Sequence, residues 1–124
     1  ILAWTTTPWT LPSNTALTIG EKITYVQINT FNVYTHKAIS VVLAKDLMGK
    51  YFSEKNKDLK LEDYKPGDKN IPFEIVQEFS GKQLVGIRYE QLMPYLQPFY
   101  DADKAFQVIA GDFVTTEDGT GVVH

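Results

Sequence analysis

Trp4-Thr5-Thr6-Thr7-Pro8-Trp9-Thr10-Leu11-Pro12-Ser13-Asn14 is the stretch on which the reading of this chain turns. Consecutive threonines run straight into Pro-Trp, and a second proline and an asparagine follow. Threonine is β-branched and suits extended backbone, so Leu2 to Thr7 reads as a strand. Pro8 lacks a backbone N–H and fixes its own φ, which ends the ladder there. The expected result is a row of hydroxyls and one amide displayed where a strand breaks into a loop. Such a place suits hydrogen bonding to a small polar ligand. The plainer reading is an ordinary strand end, with the Trp-Pro contacts serving as packing.

The far end carries Glu117-Asp118-Gly119-Thr120-Gly121-Val122-Val123-His124. On residue type alone His124 stands evenly between a core role and a site role. Glycines that permit close backbone approach favour the site. His36 follows Tyr34-Thr35 in a strand-turn context and reads as surface or structural.

Between these ends the chain reads as many short strands. Ala16 to Ile19 and Ile23 to Asn29 are strand-like around a Gly20-Glu21-Lys22 turn, with Thr24, Val26, Ile28 and Thr30 on the core face. Lys37 to Leu43 is a further buried strand, and Ala44 to Phe52 has the spacing of a short helix weakened by Gly49. Ser53 to Asn70 is polar and carries a Lys65-Pro66-Gly67-Asp68 turn, so it reads as a surface excursion. Phe73 to Phe79 alternates as a strand, with Phe73, Ile75 and Phe79 on one face. A single helical turn follows over Ser80 to Gln83. Met93 to Phe99 is an irregular packed connection, and Phe106 to Ala110 and Phe113 to Thr116 are strands around Gly111-Asp112.

At 124 residues the chain is one domain with a modest core. Apolar residues at 44% and charged ones at 22% are ordinary for a globular protein and do not suggest disorder. No apolar run approaches the length of a bilayer crossing, and no secretory leader is visible. Cysteine is absent, which removes disulfide and thiolate chemistry and fits the cytoplasm. A net charge of −3 argues against nonspecific binding of nucleic acid, DNA included. The lysines from Lys50 to Lys69 are interleaved with Glu54, Asp58, Glu62, Asp63 and Asp68, the pattern of a solvated mixed-charge face. No Ser/His/Asp set, metalloprotease motif, phosphate loop or dinucleotide fingerprint occurs. With only His36 and His124, and no acidic residue at ligand spacing, the expectation for a metal is none.

The string Trp4 to Asn14 closely resembles the threonine-rich motif of the editing (connective-peptide) domain of isoleucyl-tRNA synthetases, a class I aminoacyl-tRNA synthetase family. Thr7-Pro8-Trp9 separates it from the related valyl and leucyl enzymes, which typically have Arg-Pro and an acidic residue there. Gly119 to His124 resembles the family's Gly-Thr-Gly-hydrophobic-Val-His wall, and Leu84 to Leu92 is a less diagnostic match. The resemblance implies a β-rich α+β domain, a small mixed β-barrel core decorated by short helices. It implies hydrolysis of valine from mischarged Val-tRNA(Ile), with isoleucine excluded sterically by Thr7 and His124. Thr5, Thr6 and Thr7 would hold water and ribose oxygens as the catalytic set, without an assigned general base. Asn14 would bind or shape the loop for the terminal adenosine. Trp4 and Trp9 offer stacking surfaces, Trp9 as a substrate contact, although a core role suits both better.

The partners implied are the 3′ end of tRNA(Ile) carrying valine and the catalytic and tRNA-binding domains of a parent synthetase. ATP, Mg²⁺ and in many members Zn²⁺ belong to that parent, with no cofactor in this domain. Family members also place an α-amino-binding aspartate a little beyond the histidine. Residues 1–124 therefore read as an editing-domain fragment lacking its C-terminal part after His124, and loss of a charge-assisted bond worth ~1.5–3 kcal/mol makes the isolated chain weak or inactive. A noncatalytic module that captures an RNA end or an amino acid is the alternative. A generic β-rich interaction domain explains the composition but neither end motif.

Overall fold

The computed structural model describes residues 1–124. Two small three-stranded sheets, joined by turns and short 3₁₀ segments, make a β-rich α+β domain. In the first, β1 (Ala16–Ile19) is central, with β5 (Gln107–Ala110) parallel on one edge and β6 (Val122–Val123) antiparallel on the other. In the second, β2 (Thr24–Phe31) is central between β3 (Ala38–Ala44) and β4 (Glu74–Ser80), both antiparallel to it. The outer strands β3 and β4 of one sheet form no ladder with β5 or β6 of the other, so the expected barrel does not close. Phe113 to Thr116 are turn and irregular backbone in place of the expected strand. Val122 and Val123 take the free edge of β1, opposite Ile19 and Thr18.

Val26, Ile28 and Thr30 are buried, as the alternation of β2 predicts, and at its first end Tyr25 is buried on the other face as well. Tyr25, Ala44 and Val122 join Leu17, Ile19, Leu47, Leu84 and Val108 in a core between the sheets. Val26, Ile28, Val41, Leu43 and Phe73 form a second core on the opposite face, covered by Leu2, Met48 and Phe52. Each fully buried side chain of this size contributes ~1.5–3 kcal/mol. In β4 a bulge opposite Gln27/Ile28 leaves Val76 without a partner and breaks the expected alternation. Phe73 enters the second core while Phe79 packs on the first, and Ile75 is left exposed.

Four further expectations are corrected. Leu2 to Thr7 makes no strand, because Thr5 Oγ1 accepts the Thr7 N–H at 3.0 Å and diverts it from any ladder. Only the Leu2 N–H reaches a neighbouring strand, at Val42 O. The helix expected over Ala44 to Phe52 is a 3₁₀ segment over Lys45–Lys50. β3 is exposed at Ala38, Ile39 and Ser40 and buried only in its second half. Met93 to Phe99 is irregular but not packed, with Tyr95, Leu96 and Phe99 largely in solvent. Ser53 to Asn70 is a surface excursion with 3₁₀ turns at Glu54–Asn56 and Leu61–Asp63. The turn over Ser80 to Gln83 is held by the Gln83 side chain, which accepts the Ser80 N–H at 3.1 Å.

Candidate functional site

Pro8 opens a 3₁₀ segment over Pro8–Ser13, since its fixed φ suits a first helical position and its missing N–H costs nothing there. The turn folds the hydroxyls of the quoted stretch onto one another. Thr10 Oγ1 donates to Thr7 O at 2.8 Å and lies 3.3 Å from Thr7 Oγ1, which is 3.4 Å from Thr5 Oγ1. The cluster is reached from the other end of the chain. His124 Nε2 stands 2.7 Å from Thr5 Oγ1, across 119 residues of sequence.

Backbone geometry at the Gly-Thr-Gly segment brings the histidine there. Gly119 and Gly121 have φ of +70° and +75°, values that glycine adopts without strain. A Cβ on Gly121 would stand 2.5 Å from the Ala44 Cβ, so the strand lies too close to β3 for any side chain. Thr120 is buried between them: its Oγ1 donates to Leu2 O at 2.7 Å and its carbonyl accepts the Ala44 N–H. Both ends of the chain are thereby locked together beside the hydroxyl cluster.

A cleft of about 470 Å³ is lined by Thr5, Thr6, Thr7, Thr10, Asn14 and His124, with Trp4, Ser13, Thr15, Ala16, Thr18 and Val123 completing it. Its lining contains no carboxylate or lysine, so neutral donors and acceptors do whatever binding occurs there. A second chamber of about 430 Å³ shares Thr5, Asn14 and His124 but is otherwise mainly apolar, with Leu2, Leu11, Leu17, Tyr89 and Leu92 in its wall. Asn14 sits between the two. Its Nδ2 donates to Ala16 O at 2.9 Å and its Oδ1 accepts from Tyr89 Oη at 2.6 Å. Burial raises the Tyr89 phenol above its ordinary value of 10.0.

The structure therefore brings together Thr5, Thr6, Thr7, Asn14 and His124 and leaves Trp9 out. Trp9 is 75% exposed and Trp4 57% exposed, so neither occupies the core as expected. Trp4 lines the cleft and rests its Cβ over Gly119, whereas Trp9 lines neither chamber. His36 is exposed, with Nδ1 3.0 Å from Tyr64 Oη. Thr10 and Tyr89 were missed. Thr10 is three residues from Thr7 inside the quoted string, a spacing that a 3₁₀ turn stacks. Tyr89 gave no signal beyond its place in the Leu84 to Leu92 segment.

The largest cleft, about 930 Å³, lies elsewhere, between the 3₁₀ segments of residues 45–62 and Phe73 to Ile75. It contains none of these residues, and its lysines and glutamates are mixed around an apolar floor. Convergent polar groups identify the smaller cleft as the better candidate. Nowhere in the chain do three His, Cys, Asp or Glu side chains converge as metal ligands. No helix is long and apolar enough to cross a membrane.

No family model matches the chain. Individual proteins do. The isoleucine–tRNA ligase of Cytophaga hutchinsonii is 70% identical over 123 residues, which is 99% of this chain and 11% of that protein. That of Bacteroides thetaiotaomicron is 56% identical over 131 residues, again 99% of the chain and 11% of the relative. That of Clostridium tetani is 40% identical over 124 residues, the whole chain and 10% of the relative. The chain accordingly spans about one tenth of the length of these curated relatives. Matched from end to end by ligases of one specificity, it belongs to the isoleucyl-tRNA synthetase family, as a single small segment of such a protein.

Proposed function

We propose that this segment is the editing part of an isoleucyl-tRNA synthetase and that its cleft hydrolyses valine from mischarged Val-tRNA(Ile). The observation that carries the reading is the contact of His124 with Thr5 at the head of a hydroxyl cluster, in a cleft whose lining has no acidic side chain, lysine or arginine. Isoleucine and valine differ by one methylene. For this very pair the difference is worth only ~1–3 kcal/mol in a binding pocket, a general magnitude not obtained from this structure. A second site that admits the smaller side chain and rejects the larger by collision corrects the resulting error. Thr7 and His124 form that wall.

In the reaction, water attacks the ester carbonyl, the bond to the ribose oxygen breaks, and the proton lost by water ends on that oxygen. The ester is already activated, so the site has to hold the water and stabilise the oxyanion. Thr5, Thr6 and Thr7 both donate and accept, and they serve those two purposes and the ribose hydroxyls. Asn14 receives the terminal adenosine or shapes the loop that does so. No side chain is assigned as general base. The partners are the valine-carrying 3′ end of tRNA(Ile) and the other domains of the synthetase, in the cytoplasm. Those domains supply ATP-dependent isoleucylation.

The test uses a full-length synthetase carrying this segment, with Thr7→Ala and His124→Ala variants, and follows release of valine and of isoleucine from charged tRNA(Ile). Wild type should release valine alone, and cutting back the wall should let isoleucine be released as well. Variants that bind charged tRNA but leave both release rates at wild-type values favour a noncatalytic capture module.

A further inference from the structure

We infer that Tyr89 is a positioning residue for this hydrolysis, its hydroxyl bracing the Asn14 carboxamide at the border between the two chambers of the site. The inference rests on the editing reading above. A carboxamide oxygen has no proton, so in the 2.6 Å contact between Tyr89 Oη and Asn14 Oδ1 the tyrosine donates. The other end is fixed independently: Ala16 O can only accept, so the group facing it at 2.9 Å is the amide nitrogen. Ala16 O thus sets the orientation of the amide, and the Tyr89 hydroxyl, which donates to the oxygen so presented, holds the side chain in place. Each end keeps one unused position, a second N–H on Nδ2 and a second lone pair on Oδ1. Because Asn14 borders both chambers, its orientation decides where a donor and where an acceptor is offered to a bound ester.

Tyr89 is itself held on three sides. Its N–H donates to Phe106 O at 2.9 Å, and Gly86 and Ile87 pair with Val108 just before it. Its ring meets Phe106 edge-on, with centroids 6.1 Å apart and planes at 77°. Phe106 adopts a φ of +60°, unfavourable for a non-glycine residue, and its N–H donates to Thr15 O. The circuit closes through the first sheet. Asn14 is tied to Ala16 in β1, β1 to β5, β5 to residues 86–89, and Tyr89 back to Asn14. Burial that raises the phenol pKa keeps the hydroxyl protonated, and hence a donor, throughout the neutral range.

The experiment uses the full-length synthetase and measures valine release from Val-tRNA(Ile), isoleucine release from Ile-tRNA(Ile), and isoleucylation in the same preparations. Tyr89→Phe keeps the ring and its contact with Phe106 and removes only the donor. Valine release should slow about three- to tenfold, the value of one hydrogen bond, while isoleucine stays protected and isoleucylation is unchanged. In an Asn14→Ala background the same substitution should add less than about twofold, because the two groups act as one unit. Wild-type valine release by Tyr89→Phe overturns the role, as does an effect that adds in full to that of Asn14→Ala. A wild-type enzyme that isoleucylates but releases no valine removes the editing reading itself, and this role with it.

Discussion

Gly121→Ala should destabilise the chain through two separable effects, and both can be sized. Its φ of +75° lies in the left-handed region, where an L side chain costs ~1–2 kcal/mol. The new Cβ would also sit 2.5 Å from the Cβ of Ala44, a fully buried residue that pairs with Tyr25 in the central sheet. Neither atom is the tip of a flexible side chain, so backbone has to move, and overpacking of that kind costs ~1–3 kcal/mol. Together they amount to ~2–5 kcal/mol, which for a chain of this size lowers the melting temperature by at least about 6 °C. The movement separates β6 from β3 and lengthens the His124–Thr5 contact, so valine release in the full-length enzyme should fall in the same variant. Thermal unfolding followed by circular dichroism measures the first effect. Gly49→Ala is the control: no atom lies within 4 Å of its would-be Cβ and its φ is not positive, so its melting point should hold. A Gly121→Ala chain that melts with wild type would refute the close-approach argument, whatever its activity.

Tyr25→Phe removes a hydroxyl that accepts the Gly20 N–H and donates to Gly121 O; two buried backbone groups lose their partner, at ~1–3 kcal/mol in a urea titration. Burial raises the Tyr25 pKa above 10.0, partly offset by the Gly20 hydrogen bond. Its contribution to stability is therefore complete below pH 10 and declines as pH rises through the folded value, so Tyr25→Phe should show a shallower alkaline loss than wild type. At the acid end, the Lys50 ammonium holds the Asp118 carboxyl below its ordinary 3.8. That pair helps above the unfolded value and is lost as pH falls through the folded one. Asp118→Asn should erase a small, salt-sensitive difference between urea midpoints at roughly pH 6 and pH 2.5; a difference that survives the substitution assigns it to other groups.

Much of the site was readable because its residue types are unusual where they stand. Consecutive threonines before a proline, and a histidine after Gly-Thr-Gly, are uncommon enough to be noticed at each end without any structure. The strand order was less readable. β-branched runs identify Ala16 to Ile19 and the β2–β3 pair, but nothing local shows that Val122–Val123 pairs and Phe113 to Thr116 does not. The error at Leu2 to Thr7 has a similar origin. Propensity favours extension there, but a side-chain hydroxyl and a proline turn compete for the same backbone groups locally. The tryptophans misled because size and apolarity were read as burial, whereas Trp9 projects from an exposed 3₁₀ segment and Trp4 lines the open cleft beside Gly119. Tyr89 was invisible for another reason: its partner is 75 residues away, and no local pattern encodes that distance.

The same long reach sets how the site responds to perturbation. His124 to Thr5, Thr120 to Leu2 and Tyr89 to Asn14 all join residues far apart in sequence, and each link runs through a sheet or its edge. A contact of this kind cannot persist once the strands separate, so loss of the cleft should coincide with global unfolding and not precede it. The excursion over Ser53 to Asn70 is the opposite case. Its turns are closed by bonds within a few residues, such as Asp68 Oδ2 accepting the Lys65 N–H, and its Tyr64 stacks on Phe31 at the end of β2. Shortening that excursion changes loop closure by only about 0.6 kcal/mol per halving of length. A shortening that keeps Tyr64 should therefore leave the cleft intact.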